Sequence, residues 1–376
     1  MYNKSSNQKN LKKILFISSN QHFVNVFLMD YINILSKNYD VYLVTNFQSD
    51  TKNFHNIKCY HVPIKRKISI ISDIYSTIKL LKIFFKIKPN ILVTVTPKSI
   101  IFGIIIKLLK PNLRRIHIYT GIAWTNFLNI KKLFFIYLDK INIKFSNRII
   151  FDSKEQIIFL KKNGIQSKKF SVIHHGSITG VDTNIFFKYD KSTKNKLKSF
   201  YNIPSNSKVI LYLGRMDIDK GILDLIKCYE LLKNNSKIIL LLVGKDEMNI
   251  HKYISKYKNR IIHLPHTKDT PSIFNIADIF CLPSKREGFG NVLIESSACK
   301  VPIVGSNIFG LKSSLINNFN GLTFKVGNVA DLSNKLQKLI NNQILCDKLG
   351  KNGREYVKKK FKPDDIFNAL NNLILK

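Results

Sequence analysis

The stretch "ADIFCLPSKREGFGNVLIESSACKVPIVGS", residues 277–306, reads as a short apolar strand, a glycine-bearing loop, a helix and a second strand. That order predicts a parallel strand pair joined by a crossover helix, the unit of a doubly wound α/β sheet. Gly288 and Gly290 let the backbone turn sharply and approach a ligand closely. A helix starting near Asn291 aims its free N–H groups and positive dipole end into the same loop, which is a ready anion site. Glu287 lies on the loop and Glu295 about one turn into the helix, so both can border one pocket. Carboxylates accept hydrogen bonds from paired hydroxyls such as those of a sugar or ribose. The plainer reading is a helix-start turn with incidental acids.

The same alternation extends outward in both directions. Upstream in the second half lie "KVILYLGR" (208–215), "KIILLLVG" (237–244) and "NRIIHLP" (259–265). The first half carries "KKILFISS" (12–19), "DVYLVTN" (40–46), "NILVTVT" (90–96), "RRIHIYT" (114–120) and "NRIIFDS" (147–153), separated by helical patterns. Between about 180 and 207 the texture turns polar and lysine-rich. Two doubly wound units joined near residue 185 account for this, with 1–185 and 186–358 as the expected domains. Ligands of such sheets bind outside the carboxyl ends of the strands. Three charged or glycine-bearing loops, "GRMDIDKG", "GKDE" and "KREGFG", leave that edge of the second unit.

In "LGRMDIDKGILDLI" (213–226), Arg215 and Lys220 precede an apolar helical run that opens after Gly221. An arginine fork and a lysine point charge beside a helix N-terminus suit a diphosphate. Asp217 and Asp219 are alternative partners for these cations. With the two glutamates, the pattern favours a nucleotide diphosphate sugar, whose phosphates meet cations and whose hydroxyls meet carboxylates.

The formal charge is +37 and unevenly spread: residues 51–150 hold 19 basic and 2 acidic residues, residues 201–376 hold 27 and 15. Lys, Ile and Asn saturate the chain, as AT-rich codons favour, so part of the excess is compositional. The asymmetry points to an anionic surface or ligand met by the first half. Five scattered cysteines form no CxxC or metal-ligand spacing, so free thiols in a reducing cytoplasm are expected, with no metal and no cofactor. The polar start "MYNKSSNQKN" and a longest apolar run of "IIFGIII" fit neither a secretory signal nor a membrane span.

"GRMDIDKG" together with "REGFGNVLIESSACKVPIVGSNIFGLKSSLINNFNGLTFKVGNVADLSNKL" resembles the retaining glycosyltransferases of family 4. "VTPKSIIFGIIIKLL", "RIHIYTGIAW" and "VIHHGSITGVDTNIFF" look like their bacterial subgroup that extends polyprenyl-diphosphate-linked glycans for surface polysaccharide or protein glycosylation. The resemblance covers residues 12 to 370. It implies the GT-B fold, two Rossmann-like α/β domains facing a cleft, with a helix at 359–376 packing back on the first. It also implies roles. Arg215 and Lys220 bind the donor diphosphate and stabilise the leaving nucleotide. Glu287 faces the transferred sugar and Glu295 the ribose. Gly214, Gly288, Gly290 and the backbone of Phe289, Asn291 and Val292 line the donor. His117 and Thr120, in and after the strand "RRIHIYT", stand where relatives place an acceptor-side histidine, and His175 stands near the domain junction. The implied donor is a UDP-sugar, an N-acetylhexosamine by preference, and neither a metal nor a protein nucleophile is implied. The first strand ends in "SSNQHF" without the double glycine of many relatives, and "TGVD" replaces their "NGVD".

A polyprenyl-diphosphate acceptor sits in a bilayer. "KRKISIISDIYSTIKLLKIFFKIK" (65–88) and "FLNIKKLFFIYLDKINIKFSNR" (127–148) mix Lys and Arg with Phe, Tyr, Leu and Ile, as helices lying on anionic lipid do. The expected location is therefore the inner face of the cytoplasmic membrane, held peripherally. The rival in another class is a basic nucleic-acid-binding protein, but no zinc-finger, helix-turn-helix or RNP-type motif is present. Within enzymes, a sugar-nucleotide epimerase of the same architecture is the alternative.

Overall fold

The computed structural model describes residues 11–48, 54, 56–65, 69–232, 237–257 and 260–376. The polar start at 1–10, residues 66–68 of the first basic segment and residue 259 of "NRIIHLP" lie outside the described residues. The chain folds into two compact units. One comprises 1–152, 160–173 and 367–376, the other 153–159 and 174–366.

The first unit holds a seven-stranded parallel sheet of β1 (Lys13–Ser18), β2 (Asp40–Thr45), β3 (Lys58–His61), β4 (Ile91–Val95), β5 (Arg114–Tyr119), β6 (Arg148–Phe151) and β7 (Phe170–Val172), in the order β3-β2-β1-β4-β5-β6-β7. Its helices are α1 (Gln21–Phe27), α2 (Met29–Leu35), α3 (Ile70–Ile87), α4 (Ser99–Leu109), α5 (Asn129–Lys144) and the end of α6 (Lys154–Lys162), of which residues 154–159 count with the second unit. The pattern "NVFLMDYINILSKN" becomes two helices because Leu28, at φ −123, leaves helical geometry between them.

The second unit holds six parallel strands, β8 (Lys208–Leu213), β9 (Ile238–Val243), β10 (Ile261–Leu264), β11 (Ile279–Leu282), β12 (Ile303–Ser306) and β13 (Gly321–Phe324), in the order β10-β9-β8-β11-β12-β13. Around them pack α7 (Lys191–Phe200), α8 (Ile222–Leu232), α9 (His251–Ile254), α10 (Thr270–Ile276), α11 (Asn291–Ala298), α12 (Val329–Ile340) and α13 (Gln343–Lys360). Helices cover both faces of a parallel sheet, so the strands read as continuous apolar runs rather than alternating ones. β9, "IILLLV", is buried at every position.

The last helix, α14 (Pro363–Leu375), ends in the first unit. The Tyr31 hydroxyl donates to Asn371 Oδ1 at 3.1 Å, the Tyr31 and Phe367 rings lie 5.8 Å apart, and Arg148 donates to the Leu373 carbonyl at 2.9 Å.

Sheet order positions the site. Chain direction across the second sheet reverses between β8 and β11, which are hydrogen-bonded neighbours. The loops after these two strands are "GRMDIDKG" and "SKREGFG", so both motifs leave the sheet at its topological switch point, where α/β sheets open a crevice.

Candidate active site

The β8 loop is shaped by short-range chemistry. Asp217 caps a single 3₁₀ turn by accepting from the Lys220 amide at 2.9 Å, and Gly221 follows at φ +68, in the left-handed region. A Cβ at Gly221 would collide with the Pro283 carbonyl, so the β8 and β11 loops touch through backbone here. On the β11 side, Gly290 is the N-cap of α11 at φ +77. The Leu293 amide donates to the Gly290 carbonyl at 2.9 Å, which leaves the Asn291 and Val292 amides at the helix start available to a ligand.

Ion pairs then stitch the loops together. Lys220 Nζ lies 2.5 Å from Glu287 Oε1, which also accepts from Ser284 Oγ at 2.8 Å. Arg215 pairs with Asp217 and with Glu247 of "GKDE", each at 2.8 Å. Asp219 pairs with Arg286 at 3.1 Å, not with Arg215 or Lys220, and its carbonyl accepts from the Lys285 amide at 2.8 Å. The β8 and β9 loops run side by side past the strand ends, the Met216 amide donating to the Lys245 carbonyl at 2.9 Å. Tyr212 is bonded to the backbone of Arg215 and feels the charge of Glu287. Its hydroxyl donates to the Arg215 carbonyl at 2.5 Å, and burial followed by the charge of Glu287 pushes its pKa well up while Arg215 opposes.

Glu295 differs from Glu287. It is half-buried on α11, and among the described residues its carboxylate has no hydrogen-bond or ion-pair partner. Burial pushes its carboxyl up to about 7. A half-buried carboxylate with no protein partner is free to accept hydrogen bonds from a ligand, and groups with raised pKa values gather at functional sites.

The turn between the glutamates is held from behind. Ser153 Oγ donates to the Gly288 carbonyl at 3.1 Å, Ser314 Oγ to the Phe289 carbonyl at 2.6 Å, and Ser177 Oγ to Asn291 Oδ1 at 2.9 Å. The Phe289 side chain is 2% exposed and packs on Phe361, so only its backbone can meet a ligand. Val292 and Gly214 are half-buried on the same loops.

The three remaining expected residues fall elsewhere. His117 is a core residue. It is 1% exposed inside β5, its Nδ1 sits 2.8 Å from Thr94 Oγ1, and burial, then Arg115, pushes its imidazole well below its ordinary value. A neutral, hydrogen-bonded strand histidine with no surface cannot contact a ligand, so the direct catalytic role expected for it is withdrawn. Thr120 is half-buried just past β5. His175 is exposed, and its Nε2 lies 3.2 Å from Lys360 Nζ. Sequence reasoning missed Ser153, Ser177, Ser284, Ser314 and the pairing of Glu247. Ser284, three residues before Glu287, had a local signal, whereas Ser153 lies 135 positions from Gly288 and had none. Among the described residues no group of three or more His, Cys, Asp and Glu could hold a metal ion.

Comparison with known proteins fixes the family. The family described as "Glycosyl transferases group 1" matches residues 193–356, and that described as "Glycosyl transferase 4-like" matches residues 13–153. The chain belongs to the family 4 glycosyltransferases. This glycosyltransferase is 29% identical over 346 residues to the capsular polysaccharide biosynthesis glycosyltransferase CapM of Staphylococcus aureus, covering 90% of each chain. It is 26% identical over 362 residues to the UDP-Gal:alpha-D-GlcNAc-diphosphoundecaprenol alpha-1,3-galactosyltransferase of Escherichia coli, covering 91% of this chain and 92% of that one. Its fold matches the HepE protein of Anabaena, solved with UDP and glucose, at a TM-score of 0.82 and 17% identity over 97% of this chain and all of that one. The glycosyltransferase therefore has the GT-B fold, with a seven- and a six-stranded Rossmann-like unit.

Proposed function

We propose that the chain transfers a sugar, an N-acetylhexosamine, from a UDP-sugar to a polyprenyl-diphosphate-linked glycan, with retention at the anomeric carbon and without a metal ion, in surface polysaccharide or glycoprotein glycan assembly. The observation that carries this reading is the 2.5 Å contact of Lys220 with Glu287 across the switch point, beside the open N-terminus of α11. A donor diphosphate laid there draws the ammonium and the Arg215 fork from their carboxylates, leaving Glu287 to accept from sugar hydroxyls. Glu295 accepts from the ribose. As the bond between the anomeric carbon and the phosphate oxygen breaks, Lys220, Arg215 and the α11 amides face the charge that grows on the leaving diphosphate. The acceptor hydroxyl bonds to the same face of that carbon and gives its proton to the departing phosphate oxygen. The acceptor class rests on the relatives, whose names include diphosphoundecaprenol-linked acceptors.

Surface chemistry supports work at a membrane. No helix among the described residues is long and apolar enough to cross one. α3 buries Ser76, Leu80, Phe84 and Ile87 but leaves Ile70, Ile71, Ile74, Tyr75 and Ile78 exposed, Ile71 at 86%. α5 exposes Ile130, Leu133, Phe134 and Tyr137, and Leu128 just before it. α4 packs between these helices and adds Ile101, Leu108 and Leu109. Large apolar side chains on the outer faces of three neighbouring helices, amid a strong lysine excess, suit the interface of an anionic bilayer. The test is a screen of UDP-sugars against a short polyprenyl-diphosphate-linked glycan, with the product anomer read by NMR. Transfer from one donor with the α linkage kept is expected. An inverted product would overturn retention, and turnover of a nucleotide sugar without acceptor, giving its epimer, would favour the epimerase reading.

A further inference from the structure

The cations of the β8 and β11 loops named above all pair with carboxylates, whereas a second basic group behind the turn has none. His175 accepts from Lys360 Nζ at 3.2 Å through Nε2, so its ring is neutral with the proton on Nδ1. The His174 ring lies 4.3 Å away, edge-on, and His174 is held at φ +44. Lys154, the first residue of α6, is near enough for its charge to act on the same imidazole, whose pKa is held below the ordinary value by burial, then by His174, Lys360 and Lys154. Among the described residues neither Lys154 nor Lys360 has an ion-pair partner. The neighbouring acid, Glu155, is buried and accepts from Ser313 instead.

This group is fastened to the catalytic turn on both flanks. Ser153, one residue before Lys154, donates to the Gly288 carbonyl. Ser177, two residues after His175, donates to Asn291 at the start of α11. The cations therefore border the loop between Glu287 and Glu295, on residues separate from Arg215 and Lys220. Lys154 and Lys360 bring positive charge to one neutral imidazole with no carboxylate paired to either among the described residues, and a polyanion spanning them supplies the missing counter-charge.

We propose that Lys154, His174, His175 and Lys360 form a second phosphate-binding subsite, taking a diphosphate distinct from that of the sugar donor. On the functional reading above this is the lipid-linked diphosphate of the acceptor, and that assignment rests on that reading. The subsite itself does not.

The experiment uses the full chain and inorganic pyrophosphate as the probe, titrated calorimetrically with UDP present to fill the donor site. Wild type binds pyrophosphate under these conditions. Lys360→Met and His175→Asn each weaken that binding about tenfold, and Lys360→Arg restores it. Pyrophosphate binding abolished by UDP, or unchanged in both variants, overturns the subsite. A second arm measures transfer. A KM for the polyprenyl-diphosphate-linked acceptor raised about tenfold, at unchanged donor KM and kcat, assigns the site to the lipid-linked diphosphate. Lost pyrophosphate binding with an unchanged acceptor KM assigns it to free pyrophosphate. If no acceptor supports transfer, the functional reading fails while the titration still decides the subsite.

Discussion

Glu287 and Glu295 share a motif and a helix approach but differ in electrostatics. Glu287 is compensated by Lys220 and Ser284, while Glu295 is half-buried without a protein partner among the described residues and is pushed up to about 7. On the proposed roles, Lys220→Met loses a cation facing the leaving diphosphate and Glu287→Gln a carboxylate holding the sugar hydroxyls, and each should lower kcat/KM at least ~100-fold. Near-normal turnover of either variant removes that residue from the site. If the Glu295 carboxylate is the form that accepts from ribose, donor affinity must rise with pH through its titration. The KM for the UDP-sugar should fall about tenfold between pH 6 and 8 as the ionised fraction grows. In Glu295→Gln the same profile should be flat. A slope retained in the variant would place the titration elsewhere. The charged and glycine residues of these loops were legible because their chemistry is local in the chain. The serines that hold the turn were not, because nothing near Ser153 announces a partner at Gly288. His117 misled for the opposite reason: its place inside a strand whose end carries an acceptor-side histidine in relatives suggested a site, but its side chain bonds Thr94 in the core.

The strands of both units were readable as apolar runs because helices bury both faces of each sheet. β3 and β13, four residues each, were not, since edge strands of that length lack a distinguishing run. The periodicity of α5 also hid its buried side. Asp139 accepts from the Tyr119 hydroxyl and from Trp124 Nε1, both at 2.7 Å, and Asn142 reaches Tyr119 and Arg115. These polar anchors fix α5 to β5 and leave its apolar residues outward. Burial pushes the Asp139 carboxyl up to about 6, against a hydrogen-bond contribution that lowers it. The folded value lies above the unfolded one, so this group's contribution is full below pH ~4 and is lost as pH rises through ~6, about 3 kcal/mol. Thermal melts should show wild type losing stability across that window more steeply than Asp139→Asn. Parallel curves would reject the assignment. On the outer side of the same helix, Ile130→Glu with Phe134→Glu should abolish co-sedimentation with anionic vesicles while leaving transfer to a short-chain acceptor intact. Unchanged partitioning would mean that α5 is not the contact.

For the molecule as a whole, charge is the feature that sequence showed best and structure refined most. The basic excess of residues 51–150 falls in the first unit, the one bearing the exposed apolar helices. Vesicle binding should weaken as salt rises from 0.05 to 0.5 M, because the Debye length falls from roughly 14 to 4 Å. Salt-insensitive binding would assign association to apolar contact alone. Domain organisation was legible only coarsely. Chain texture marked one change near 185, but a spatial unit is defined by contacts that sequence order does not preserve. The segment 153–159 lies between strands of the first unit and counts with the second. One consequence concerns dissection of the enzyme into pieces. A fragment starting at His174 would keep the six-stranded sheet and every charged residue of the donor loops. It would nonetheless leave the Gly288 carbonyl without Ser153 and Ser313 without Glu155. Such a half-molecule should bind UDP more weakly than the intact chain, and a synthetic peptide spanning 150–162 supplied in trans should recover part of the loss.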